Sequence, residues 1–151
     1  MNKEKSVEIL KFYITGLNEQ SFQHKVQGKI FAAQGLKKLG EKYAEHSIEE
    51  AEWVAKMMDR VLDLGGDLSV DPTEGLPVYE NIVDYLKADS KVSDEGIEKL
   101  RSDMISISDD VVTYDLLKDY LKDEEEDASW TDAQLNLIAM IGLENWLIQQ
   151  L

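Results

Sequence analysis

Five side chains of this sequence combine metal-ligand chemistry with an expected inward position: His24, His46, Glu50, Glu124 and Asp127. Glu50 belongs to the stretch EEAEWVAK, residues 49–56, and is followed three residues on by Trp53. A Glu and a His three apart on a helix present two ligands to one metal site. Here an indole stands in the His place, and an indole nitrogen is a donor only, so it cannot ligate. The pair reads as a metal site, as the remains of one, or as a core with an awkward carboxylate in it.

Composition bounds the chemistry. The chain has 151 residues, no Cys and two His. Disulfides, thiolate zinc sites, iron–sulfur clusters and thiolate nucleophiles are excluded. With two His, any metal centre within one chain is mostly carboxylate, which suits Mg, Ca, Mn or iron better than zinc or copper. A net charge of −15 repels nucleic acid and anionic membranes and concentrates cations. Lys3 and Lys5, interrupted by Glu4, make no nucleic-acid-binding tail. The longest apolar run, 137–143, is far too short to span a bilayer. The start MNKEKSVEIL has no continuous apolar stretch of the kind a signal peptide needs. The expectation is a cytoplasmic protein with one folded domain over 1–151, built without phosphate-cradling or hydrolase-elbow motifs.

The elements that position the five residues are helices. Apolar residues recur every three or four positions over 4–33, 36–64, 79–109 and 111–141, with no alternation long enough for a strand. Both prolines, Pro72 and Pro77, lie with Gly65, Gly66 and Gly75 in one stretch, 65–77, which is the one clear loop. Gly35 separates the first two helices. Asp109-Asp110 opens the fourth helix, and Gly142 stops it before a short C-terminal helix in GLENWLIQQL. Two tightly joined helix pairs with one long connection between them predict an all-α antiparallel four-helix bundle with a crossover.

Every stripe turns polar near its middle. The first helix offers Ser21 and His24, the second His46 and Glu50, the third Asp89 and Ser93, and the fourth Glu124 with Asp127 beside it. In an antiparallel bundle the helix midpoints lie at one height, so a buried polar layer with several carboxylates is expected. Such a layer needs a metal, a protonated His, or proton sharing, because an unpaired buried carboxylate costs several kcal/mol.

These residues carry a resemblance. From GLKKLG (35–40) through HSIEEAEWVAKMMDRVLDLGGDL (46–68) the chain resembles helix B of a bacterioferritin, within the ferritin-like superfamily. LKDEEEDASW (121–130) resembles helix D, and IGLENWLIQQL (141–151) resembles the C-terminal helix. The resemblance implies a subunit of a homo-oligomeric shell that oxidises ferrous iron at an intrabundle di-iron site and stores the product. It also implies which positions carry ligands. Glu50 and Glu124 match the family's helix B and helix D Glu. Trp53 and Asp127 stand in the places of their partner His. Leu17 stands in place of the helix A Glu, and the helix C Glu falls near Ser93. His24 stands in place of a flanking Tyr. Ala51 stands in place of the Met that ligates haem, so no haem is expected at that position. Two of six iron ligands remain, with Asp127 as a substitute. A single metal held by Glu50, Glu124, Asp127 and His24 or His46 fits this set, and so does a metal-free layer in which His pairs with Glu. The DNA-protecting relatives, whose sites lie between subunits, match less well because Ala55 takes the place of an acid near Asp59. Two functions follow. One is an iron-binding and iron-storing cage subunit with an altered ferroxidase centre. The other is a non-catalytic structural or partner-binding oligomer of the same fold.

Overall fold

The computed structural model describes residues 1–69 and 75–151. Its helices are α1 (Lys3–Ala33), α2 (Lys37–Asp63), α3 (Ile82–Ser106), α4 (Val111–Ile141) and α5 (Leu143–Ile148). There is no strand among the described residues, and no described helix is long and apolar enough to cross a membrane. The four long helices and the short fifth lie where the apolar spacing puts them. Only α3 differs by more than a residue or two, ending three residues inside 79–109 on each side. Asn81 caps its start by accepting from the Asp84 N–H at 3.0 Å, and a capped helix cannot begin earlier.

The two described ends of the connection from α2 to α3 lie against opposite ends of α1. Asp67 and Ser69 meet Lys11 at 3.2 Å each. Further along, the Pro77 carbonyl accepts from Gln23, the Tyr79 backbone exchanges two hydrogen bonds with Gln27, and the Glu80 carbonyl accepts from Gln34. The segment leaves beside the start of α1 and arrives beside its end. α3 therefore begins at the opposite end of the bundle from where α2 stops, and the crossover topology follows. The part of the loop that holds Pro72 lies outside the described residues.

α1 and α2 cross with their backbones nearly touching. A Cβ on Gly28 would lie 2.9 Å from the Gly40 carbonyl oxygen, and one on Gly40 would lie 2.9 Å from that of Gly28. At the far corner Asp110, 1% exposed, caps α4. Its carboxylate accepts from Arg60 at 2.7 Å and from the Thr113 hydroxyl at 2.6 Å. α5 closes the other end. Trp146 is fully buried and donates to Gln134 at 2.9 Å, and the Gln150 carbonyl accepts from the Lys38 N–H at the start of α2.

The apolar interior divides into two clusters. One gathers Leu10, Ile14, Leu17, Met57, Val61, Leu100, Met104 and Leu117. The other gathers Phe31, Leu39, Tyr43, Tyr85, Leu86 and Trp146. Between them lie the buried polar residues Ser21, His24, His46, Ser47, Glu50, Asp89 and Thr131. The interrupted stripes thus meet as one polar layer at mid-bundle.

Candidate metal centre

His24 organises the layer. Its Nδ1 lies against Glu50 Oε1, and its Nε2 lies 3.1 Å from Asp89 Oδ1. All three side chains are buried. An ionised carboxylate only accepts, so a ring with a carboxylate at each nitrogen must donate from both and is an imidazolium. Burial by itself lowers the His24 pKa. Hydrogen bonds to Asp89 and Glu50, together with their charges, overcome it and carry it up to about 10. Burial raises the Glu50 pKa, and the hydrogen bond and charge of His24 work against that rise. Thr131 completes the cluster by donating to the second Asp89 oxygen at 3.4 Å. On the α1–α2 side, the Ser21 hydroxyl donates to the Ser47 carbonyl at 2.8 Å.

His46 behaves in the opposite way. Burial, the His24 charge and Lys42 lower its pKa to about 4, so it is neutral. Its Nε2 has no hydrogen-bond partner among the described residues and lies 3.7 Å from Asp127 Oδ1. Aromatic rings pack around it, with Tyr43 at 5.5 Å and Trp130 at 5.7 Å between centroids. The hydroxyls of Tyr43 and Tyr85, buried nearby, also lack a partner among the described residues. Asp127 is half-buried, and burial with the charges of Asp123, Glu49 and Glu50 raises its pKa to about 7.

Glu124 lies beside the layer, close enough for the charges of Glu50 and His24 to act on it. It lines a pocket of about 220 Å³ with Tyr13, Gly16, Leu17, Glu19, Leu100 and Tyr120. Burial, then the charges of Glu50 and Asp127, raise its pKa to about 8.

Of the five expected ligands, His24 pairs with Glu50, His46 lies nearest Asp127, and Glu124 lines a pocket beside them; the His24 and His46 rings lie 5.9 Å apart, and the Glu50 charge acts on both Glu124 and Asp127. Asp89, expected in the layer but not as a ligand, is the second partner of His24. Among the described residues, one trio brings carboxylate donor atoms all within 4.8 Å of one another: Glu49, Asp123 and Asp127. Glu49 and Asp123 each precede an expected ligand by one residue and lie off the apolar stripes. The available signal was the ridge that Asp123 and Asp127 share at i, i+4. Trp53 donates from Nε1 to Asp123 Oδ2 at 2.9 Å, so the indole in the His place is a hydrogen-bond donor to an acid.

Leu17 and Trp53 supply no ligand, and both His24 nitrogens are spent on carboxylates.

A bundle of four long antiparallel helices with a crossover and an acidic mid-height layer defines a class of protein. The ferritin-like domain family matches residues 9–141. The chain is 33% identical over 132 residues to a bacterial ferritin of Neisseria meningitidis, covering 85% of each chain. It is 30% identical over 149 residues to a bacterial ferritin of Pseudomonas aeruginosa, covering 96% of each. With a bacterioferritin of Brucella melitensis it shares 27% over 114 residues, covering 74% of this chain and 71% of that one. The chain belongs to the ferritin-like family.

Proposed function

We propose that this chain is the subunit of a homo-oligomeric, cytoplasmic shell that binds and stores iron, and that its intrabundle centre works without a di-iron pair. Relatives named bacterial ferritin, matched over nearly the full length, support iron as cargo. The net charge of −15 supports it as well, because such a field gathers cations at the protein surface. The observation that carries the second half is the His24 ring bound at both nitrogens by Glu50 and Asp89. The imidazolium supplies the positive charge that a metal gives in a carboxylate layer. Of the five expected ligands, Glu50 and His24 neutralise one another and Glu124 faces its pocket. Asp127 and His46 are the two left to meet an ion.

Aerobic ferrous loading followed by size-exclusion chromatography tests both halves. Iron should co-elute with protein at shell size, with slow oxidation and no fast phase consuming two ferrous ions per chain. A metal-free eluate would remove iron storage and leave a structural oligomer. A fast two-iron phase would overturn the altered centre.

A further inference from the structure

We propose that the pocket between α1 and α3, with Glu124 of α4 at its floor, is a binding site for a small hydrophobic amine of about the size of benzylamine. Two independent observations meet there. The first is a pair of glycines. Gly16 in α1 and Gly96 in α3 both line this pocket, and each lies in the interior of its helix. A glycine in that position destabilises a helix relative to Ala. A Cβ on Gly28 or Gly40 would strike a facing backbone, and Gly35, Gly65, Gly75 and Gly142 have positive φ. Gly16 and Gly96 have neither reason: a Cβ on either meets nothing within 4 Å among the described residues. The chain leaves the space over both glycines unfilled, on two walls of one pocket.

The second is charge. Glu19 and Glu124 line the pocket, and no Lys, Arg or His is among its described lining residues. Lys99 lies over the Phe12 ring at 4.2 Å, but its ammonium is already held by Asp103 at 2.6 Å. An ammonium beside Glu124 places a countercharge where burial otherwise penalises the carboxylate. The rest of the lining suits a hydrocarbon body. Leu17, Ile97 and Leu100 are apolar, and Phe12, Tyr13 and Tyr120 bring aromatic rings, which attract a cation. The pocket measures about 220 Å³, larger than the roughly 150 Å³ cavity that takes benzene in an engineered protein core. One ring with an aminomethyl group fits that space. The site does not depend on iron storage.

The test uses the full-length protein with chelator present, so that no metal contributes, and in physiological salt, which screens ammonium ions from the acidic surface. Saturation-transfer NMR is titrated with benzylamine and with benzyl alcohol, its neutral isostere. Wild type should bind benzylamine with a Kd on the order of 0.1–1 mM, as about eight heavy atoms allow, and benzyl alcohol at least about tenfold more weakly. Glu124→Gln should lose that preference: benzylamine weakens by about tenfold or more, and benzyl alcohol changes by less than about threefold. Gly96→Leu should fill the pocket and remove both probes. Gly16→Leu should do the same from the other wall, and either decides if its counterpart fails to fold by circular dichroism. Equal affinity of wild type for the two probes, or no saturation transfer to either, would overturn the site. So would benzylamine binding that survives unchanged in a folded Gly96→Leu or Gly16→Leu protein, because it would then be ion pairing at the surface.

Discussion

Replacing His24 by Leu removes the cation in contact with Glu50 and Asp89 and leaves two buried carboxylates facing one apolar side chain. At an effective dielectric of about 20, a charge pair at the 3.1 Å His24–Asp89 distance is worth about 5 kcal/mol before desolvation, and the Glu50 contact is of similar size. Desolvation of the three ions offsets most of this. Removing one partner of a buried pair still costs about 3–5 kcal/mol, because the survivors stay buried and unpaired. For a chain of this length that lowers Tm by roughly 6–20 °C. The assay is denaturation followed by circular dichroism, with protomer concentration fixed and chelator present. The cost should also depend on pH in a defined way. The His24 pKa rises on folding from 6.5 to about 10, so its stabilisation is full below 6.5 and is lost as pH climbs through 10, by about 1.4 kcal/mol per pH unit at most. At the acid end Glu50, whose folded pKa is itself raised, protonates and relieves the variant. The penalty should therefore peak near pH 6–7 and shrink on both sides. A His24→Leu protein within about 1 kcal/mol of wild type at pH 7, or a penalty that keeps growing above pH 9, would refute the imidazolium.

Glu124→Gln should stabilise, since the fold raises this carboxyl's pKa from 4.5 to about 8 and so disfavours its ionised form. Wild-type stability from this group falls as pH rises from 4.5 to 8. The gain should be nil at pH 4 and about 1–3 kcal/mol at pH 9, with solvent screening at the half-buried site keeping it modest; denaturation curves at the two pH values check it. Gly28→Ala should cost about 1–3 kcal/mol despite the better helix propensity of Ala, because the new methyl meets a backbone oxygen 2.9 Å away and α1 must part from α2. An unchanged Tm would mean that the helices can separate freely. Trp146→Ala should cost about 3–5 kcal/mol, with loss of amide-exchange protection at the start of α2, where the Gln150 carbonyl holds the Lys38 N–H. Protection unchanged from wild type would show that α5 is not part of the core.

The bundle was legible because its signal is local and repeated. Leu10, Ile14, Leu17, Leu39, Met57, Val61, Leu86, Leu100 and Leu117 recur at helical spacing and are all buried. The mid-height layer was legible for the same reason, since Ser21, His24, His46, Glu50 and Asp89 stand on those stripes and are buried, while Ser93, Glu124 and Asp127, expected with them, are half-buried. Less legible was which polar groups pair. Glu50 and Glu124 read alike in the sequence, yet one meets an imidazolium and the other an apolar pocket, because α2 and α4 turn them toward different neighbours. Glu49 and Asp123 were missed as possible ligands. Each lies one residue, about 100° of helix, away from the stripe, and an off-stripe acid is ordinarily a solvated one.

What the sequence determined by itself was the helices, their order, the crossover between the pairs and the height at which the interior turns polar. All of these follow from spacing along one chain. What the tertiary structure alone decided was the partner of each charge: His24 between Glu50 and Asp89, and His46 aimed at Asp127. Those pairings depend on the rotation of each helix about its axis. That rotation is set by close contacts between distant residues, such as the Gly28–Gly40 crossing, and not by any local pattern.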